Sequence, residues 1–160
     1  MEIKFHKFSD FERIKFSDLL ADAYSFDKNL VNNEIDRWRE NDNFFYDHVG
    51  LETADTCCVI TVLNNEIIGF ICWDPRNLPE YATIGDNCII TKHKGKGYGK
   101  LQLQEAIKRI VQNGGEKAFV TTNSCDGFIP ARKMYESVGF KQINNSYLQP
   151  WQVYYELVLM

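Results

Sequence analysis

The sequence predicts one α/β domain built on a mixed sheet, and three observations carry that reading. Strand-like and helix-like segments follow one another in the order β-α-α-β-β-β-α-β-α-β-β, with no linker, repeat or low-complexity stretch between them. Near the middle, a glycine turn, Lys94-Gly95-Lys96-Gly97-Tyr98-Gly99-Lys100, separates an apolar run ending in Cys88-Ile89-Ile90 from an amphipathic helix. The totals suit one globular unit: 160 residues, 44% hydrophobic and 25% charged.

Each element has its own signal. Residues 2–6 read as a short strand, and Ser9 with Glu12 forms a capping box ahead of a helix whose buried stripe is Phe16, Leu19, Leu20 and Ala23. Val31, Ile35, Trp38, Phe45 and Val49 keep helical spacing for a second helix, although Asp42 falls on its apolar side. The aromatic set Trp38, Phe44, Phe45 and Tyr46 is assigned mainly to the core. Cys57–Leu63 and Glu66–Trp73 are strands joined by Asn64-Asn65, residues that tolerate the positive φ of a tight hairpin. Pro75 and Pro79 mark a loop, and Tyr81–Ile90 is the next strand. After the glycine turn, Leu103, Ala106, Ile107, Ile110 and Val111 form one helical stripe, stopped by Asn113-Gly114-Gly115. Ala118–Thr122 is a buried strand, Pro130–Val138 a helix ended by Gly139, and Phe140–Ile143 and Trp151–Leu159 are closing strands.

Composition excludes several classes. A net charge of −4 argues against general nucleic-acid binding, because no basic face beyond residues 92–100 is present. No stretch approaches 18 apolar residues and the first residues lack a signal-peptide core, so neither a membrane span nor export is expected. The five cysteines, Cys57, Cys58, Cys72, Cys88 and Cys125, form no C-x-x-C pair and have no histidines at ligand spacing. They fit buried thiols in a reducing, cytoplasmic setting with no metal.

The glycine turn is where chemistry concentrates. Three glycines in five residues let the backbone turn sharply and let a ligand approach it. The amides that open the following helix lack intrahelical partners and face outward, reinforced by the positive end of the helix dipole. Lys92, Lys94, Lys96 and Lys100 crowd the same nine residues with no acid among them. The combination is a phosphate cradle rather than a plain solvated turn. It is not a Walker loop, because Lys94 stands where the first glycine belongs and Leu101, not Ser or Thr, follows Lys100. Nor is it a dinucleotide fingerprint, since the spacing is G-x-G-x-G and the loop lies past mid-chain.

A second motif, Ala131-x-x-Met134-Tyr135-x-x-x-Gly139-Phe140, follows on the later helix. Together with Lys94-Gly95-Lys96-Gly97-Tyr98-Gly99 it resembles the GNAT superfamily of acetyl-CoA-dependent N-acetyltransferases, whose loop reads Q/R-x-x-G-x-G/A and whose later helix commonly reads A-x-x-L-Y-x-x-x-G-F. The resemblance covers nearly the whole chain in element order. It implies a mostly antiparallel sheet of about seven strands flanked by about four helices, with splayed strands forming the acetyl-CoA cleft.

The resemblance also implies roles. The backbone of Lys94, Gly95, Lys96, Gly97, Tyr98, Gly99 and Lys100 would hold the CoA pyrophosphate. Ile89 and Ile90 would pair with the pantetheine arm and thioester carbonyl, and Asn123 or Ser124 would lie near that arm. Tyr135 would be the general acid, and an amine would attack the thioester directly, without a metal. Two positions depart from the pattern: Lys94 replaces Gln or Arg, and Phe128 stands where the family often has Asn. The strand before the turn carries Thr83 where many relatives place a catalytic Glu. Asp86 is the candidate base, with Glu80 and Asp126 nearby and a water relay as the alternative. His93 is expected to face solvent.

The expected activity is acetyl transfer from acetyl-CoA to a primary amine, a small molecule or a peptide. The alternative is a non-catalytic acyl-CoA-binding or sensing domain. The acceptor site is expected among residues 24–50, the Trp73–Pro79 loop and the Tyr147–Trp151 segment, which hold Asp27, Glu34, Asp74, Phe44, Phe45, Trp73 and Trp151. A homodimer is compatible with this reading.

Overall fold

The structure is a computed structural model that describes residues 2–44, 46, 47 and 50–159. Its centre is one seven-stranded sheet in the order β1-β2-β3-β4-β5-β7-β6. The strands are β1 (Ile3–His6), β2 (Cys58–Leu63), β3 (Glu66–Asp74), β4 (Ala82–Ile89), β5 (Lys117–Asn123), β6 (Lys141–Ile143) and β7 (Gln152–Val158). Every neighbouring pair is antiparallel except β4 with β5, which run parallel. Among the described residues five α-helices surround the sheet: α1 (Phe16–Ala23), α2 (Lys28–Phe44), α3 (Leu51–Cys57), α4 (Tyr98–Gln112) and α5 (Ile129–Val138).

The two faces of the sheet bury different sets. On one, α4 and α5 place Leu103, Ala106, Ile110 and Tyr135 against Val59, Ile71, Ala82, Ile84, Val120 and Tyr155. On the other, Phe16, Leu20, Ala23 and Trp38 from α1 and α2 cover Cys58, Ile60, Val62, Phe70 and Cys88. Strand alternation sends Cys58 and Val59 to opposite faces, so the run is apolar throughout. The β2–β3 hairpin turns on Asn64 and Asn65, with φ of 48° and 67°. Gly114 and Gly139, with φ of 83° and 112°, end α4 and α5.

The first half departs from expectation. Ser9 and Glu12 form no capping box; Phe8–Asp10 is a short 3-10 turn, and Ser9 donates its amide to Asp55 Oδ1 at 2.8 Å instead. α1 begins only at Phe16. Its first turn is capped from outside, because Ser17 N–H donates to Asp42 Oδ1 at 3.0 Å and the buried Ser17 hydroxyl donates to the same carboxylate. That contact explains the acid on the apolar side of α2: it serves the open amides of a neighbouring helix. The additional helix, α3, ends at Cys57, so β2 starts one residue later than expected. Of the aromatic set assigned to the core, Trp38 is buried, Tyr46 half-buried and Phe44 exposed. Phe45 and Val49 lie outside the described residues.

Three thiols, Cys57, Cys58 and Cys88, are buried, Cys72 is half-buried, Cys125 is exposed, and all five are free. No helix among the described residues is long and apolar enough to cross a membrane.

Replacing Asp42 by Ala leaves the Ser17 hydroxyl buried without its acceptor and the α1 amides uncapped. The expected cost is about 1–2 kcal/mol, read as a lower midpoint in chemical denaturation. An unchanged midpoint would remove the cap from the account.

Candidate active site

The glycine turn is shaped as an open cradle. After β4 the chain makes a 3-10 turn at Thr91–His93, then takes positive φ at Gly95 (74°) and Gly97 (87°). Nothing stands within 4 Å of where a side chain would begin at either glycine. Gly99, by contrast, lies in the first turn of α4 and packs against α5, with a Cβ position 3.2 Å from Met134 Sδ. The first backbone bond of α4 runs from Leu101 N–H to Gly97 O at 3.2 Å, so the amides of the preceding turn face out of the helix end.

The lysines divide in two. Lys96 and Lys100 are exposed beside the cradle. Lys92 pairs with Glu66 at 2.6 Å. Lys94 does not face the cradle: its ammonium donates to Ala23 O and lies 4.9 Å from the Phe26 ring centre, and its N–H donates to Thr91 O. The cradle therefore starts at Gly95, and Lys94 ties the end of α1 to it. His93 is also unlike its expectation. It is half-buried, with Nε2 3.4 Å from Glu66 and its ring edge on Tyr98.

Beside the cradle the sheet opens. β4 and β5 pair only at Ala82 with Ala118 and at Thr83 with Phe119. Beyond that point β4 stays with β3 as far as Ile89, and β5 stays with β7 as far as Asn123. A bulge bends β4 where it leaves: Gly85 and Asp86 together lie opposite Cys72, between the Trp73–Ile84 and Ile71–Asn87 pairs. Ile90 N–H donates to Ile68 O at 2.8 Å and Ile90 O accepts from His93 N–H at 3.0 Å, so its backbone is fully committed inside the fold. By strand alternation Ile89 turns its N–H and C=O to the open side. Of Ile89 and Ile90, only Ile89 turns its backbone to the open side.

Asn123, on the far lip, is occupied. Its Oδ1 accepts from Cys125 N–H at 2.8 Å and its O accepts from Arg132 Nη1 at 2.6 Å, which fixes the turn between β5 and α5. Ser124 N–H donates to Trp151 O at 2.9 Å.

Tyr135 joins the two lips. It is buried on α5, and its hydroxyl oxygen accepts from Asn87 Nδ2 on β4 at 3.2 Å. Burial raises the phenol above its ordinary ionisation range, and the Asn87 bond partly opposes that. The phenol is protonated at neutral pH, as a proton donor must be. Asn87 is held by Gln102, whose Nε2 donates to Asn87 Oδ1 at 2.8 Å. Sequence reading missed both residues. The signal was present for Gln102, which shares one helix face with Ala106 and Ile110 at four-residue spacing and is fully buried.

Aromatic side chains close the cleft from the α1 side. Tyr24 stacks on Phe128 at 5.9 Å, Phe26 meets Phe128 edge-on at 5.6 Å, and the Tyr24 hydroxyl lies 3.4 Å from Asn87 O. Burial is the largest cause raising the Tyr24 phenol, and the charges of Cys88, Tyr135 and Asp86 add to it. Tyr24 thus lies within electrostatic reach of both catalytic candidates.

Asp86, in the bulge, borders a cavity of about 420 Å³ lined with Arg37, Trp73, Asp74 and Thr83. It is half-buried, and desolvation raises its carboxyl above the usual range while Arg37 lowers it and Glu34 raises it. Glu80 and Asp126 are exposed. Other acids expected around an acceptor have structural partners: Asp27 accepts from Leu30 N–H at 3.1 Å, Glu34 pairs with Arg37 at 2.6 Å, and Asp74 with Arg76 at 2.5 Å. Tyr147 and Trp151 are exposed, away from this cavity's lining.

The model of the acetyltransferase (GNAT) family matches residues 15–140. The ribosomal protein bS18-alanine N-acetyltransferase of Haemophilus influenzae is 31% identical over 91 residues, 54% of this chain and 58% of that protein. The uncharacterized N-acetyltransferase YsnE of Bacillus subtilis is 39% identical over 64 residues, 40% of this chain and 39% of that protein. Both alignments span less than two thirds of the relative's length. Among solved structures, the PaiA N-acetyltransferase of Thermoplasma acidophilum, in complex with coenzyme A, shares the fold with a TM-score of 0.76 at 14% identity, covering 99% of each chain. Both motifs lie within the span that the family model matches, and this chain belongs to the GNAT family of acetyltransferases.

Proposed function

We propose that this protein transfers an acetyl group from acetyl-CoA to a primary amine. The observation that carries the reading is the opening between β4 and β5, with the cradle at its mouth and the Tyr135 hydroxyl across it. The amides from Gly95 to Lys100, with Lys96 and Lys100 beside them, suit a pyrophosphate. The open edge of Ile89 suits an extended pantetheine arm, and its N–H is a donor for the thioester oxygen. The PaiA structure holds coenzyme A in the same fold.

In this reading the amine nitrogen attacks the thioester carbonyl carbon. A C–N bond forms, the C–S bond breaks, and Tyr135 gives its proton to the departing sulfur. The amine loses one proton to Asp86, directly or through water, and Tyr135 is reprotonated from solvent. Asp86 suits the base role because desolvation lifts its carboxyl toward the working range. The acceptor enters beside Asp86, between Arg37 of α2 and Trp73 of β3. A carboxylate at that point favours a cationic amine on arrival, which releases one proton to solvent before its nitrogen attacks and the second to Asp86. The Haemophilus relative's name puts its chemistry on a protein alanine, which makes peptide N-termini the first acceptors to screen.

Two outcomes follow. Tyr135→Phe lowers kcat by about a hundredfold or more, in an assay of thiol release, while calorimetric affinity for acetyl-CoA stays near wild type. Unchanged turnover would remove Tyr135 from the mechanism. Asp86→Asn slows turnover at neutral pH but raises stability. Burial lifts the folded carboxyl above its unfolded value, so its contribution is complete at acid pH and is lost as pH rises through the folded pKa. Asn never ionises, so the variant's denaturation midpoint exceeds wild type at pH 7, and the gap closes below about pH 4. A lower midpoint at pH 7 would contradict this burial cost.

A further inference from the structure

We infer that Gln102 and Asn87 form a relay of fixed polarity that aims the Tyr135 proton into the cleft. The inference rests on Tyr135 being the proton donor proposed above. Gln102, on α4, is completely buried against the sheet. Its Nε2 lies 2.9 Å from Phe70 O and 3.2 Å from Cys88 O, two backbone carbonyls that can only accept. The nitrogen end of the amide must therefore point there. The other end, Oε1, accepts from the buried Thr61 hydroxyl at 2.7 Å.

This orientation passes to the next residue. Gln102 Nε2 also faces Asn87 Oδ1 at 2.8 Å; its two hydrogens serve the closer Phe70 O and Asn87 Oδ1, with Cys88 O a longer, shared contact, so Asn87 has to present oxygen to Gln102 and its NH2 to Tyr135. An NH2 group can only donate. The Tyr135 oxygen accepts on that side at 3.2 Å, and its own proton lies on another side. Were the Asn87 amide reversed, the phenol would donate to Asn87 and its proton would be held by the enzyme. The donor at the phenol oxygen also supports the negative charge that develops as the proton leaves. An apolar residue at position 102 would continue the Ala106 and Ile110 face without burying an amide, so the glutamine is better explained by this orientation than by packing.

Asn87 and Gln102 are positioning residues in this scheme. The titratable groups around Tyr135 are Tyr24 beyond α1, which is itself in reach of Cys88 and Asp86 on β4, and Tyr155 on β7. On α5, Arg132 is bonded to Asn123 O and Cys125 O, and Glu136 to the Tyr155 hydroxyl.

The test compares Asn87→Asp with Asn87→Leu. A residue that only fills space tolerates the isosteric Asp better than Leu. The relay predicts the reverse order: Asp accepts the phenol proton, and kcat falls roughly tenfold or more below that of Asn87→Leu, with the KM for acetyl-CoA unchanged. Both substitutions have no further effect on kcat in a Tyr135→Phe background. Difference absorbance at alkaline pH, with and without Tyr135, reads its ionisation directly, and Asn87→Asp moves it upward whether or not the enzyme turns over. Gln102→Leu serves if Asn87→Asp does not fold: it lowers kcat severalfold when Tyr135 is present and not when it is absent. Asp milder than Leu, additive effects, or an unmoved Tyr135 ionisation overturns the relay. An unaltered kcat in Tyr135→Phe alone instead overturns the proton-donor reading.

Discussion

Two residue pairs, Ala82 with Ala118 and Thr83 with Phe119, are the only ladder pairs between β4 and β5, and the candidate site lies where that pairing stops. A parallel pair that continued would consume the amide and carbonyl of Ile89, and no extended ligand could enter. The divergence has identifiable causes. Gly85 and Asp86 share one place opposite Cys72, so β4 bends away at the bulge. β5 cannot follow, because it is held to β7 by seven pairs from Lys117–Val158 to Asn123–Gln152. The same bulge turns Asp86 toward the cavity, so one irregularity both opens the cleft and places a carboxylate beside it.

What replaces the lost strand pairing is polar and specific. Asn87 reaches from β4 to Tyr135 on α5, and Gln102 anchors Asn87 to α4. A buried amide such as Gln102 is costly unless fully bonded, and here each end of it and of the half-buried Asn87 has a partner. The aromatic contacts of Tyr24 and Phe26 with Phe128 join the lips again nearer the α1 face. With Phe128 at this position the mouth is lined with rings.

Local signals in the sequence were reliable guides and distant ones were not. The Asn64-Asn65 turn, the stops at Gly114 and Gly139 and the cradle at Gly95 and Gly97 all follow from φ preferences written into the residues themselves. Asp42 looked misplaced on α2 because its partner is Ser17, 25 residues earlier. The capping box at Ser9 failed for a similar reason: Asp55 claims the serine from 46 residues away. Lys94 looked like a phosphate ligand until α1 brought Ala23 O to it. Asn87 carries no motif and Gln102 only the signal of a polar residue on an apolar helix face; the packing of α4 on β3 and β4 brings the two together. The glycine motif and the tyrosine helix point to the candidate site, while the groups proposed to orient it are three-dimensional neighbours.

In the proposed reaction the open side of β4 and the glycine turn together receive one extended ligand. Hydrogen–deuterium exchange with and without acetyl-CoA tests it most directly, because it reads backbone amides one segment at a time. Slowed exchange is expected at Ile89 and across Gly95–Lys100, with β1 and β2 unchanged. Binding that leaves those amides exchanging freely, or protection confined to another face of the sheet, would contradict it.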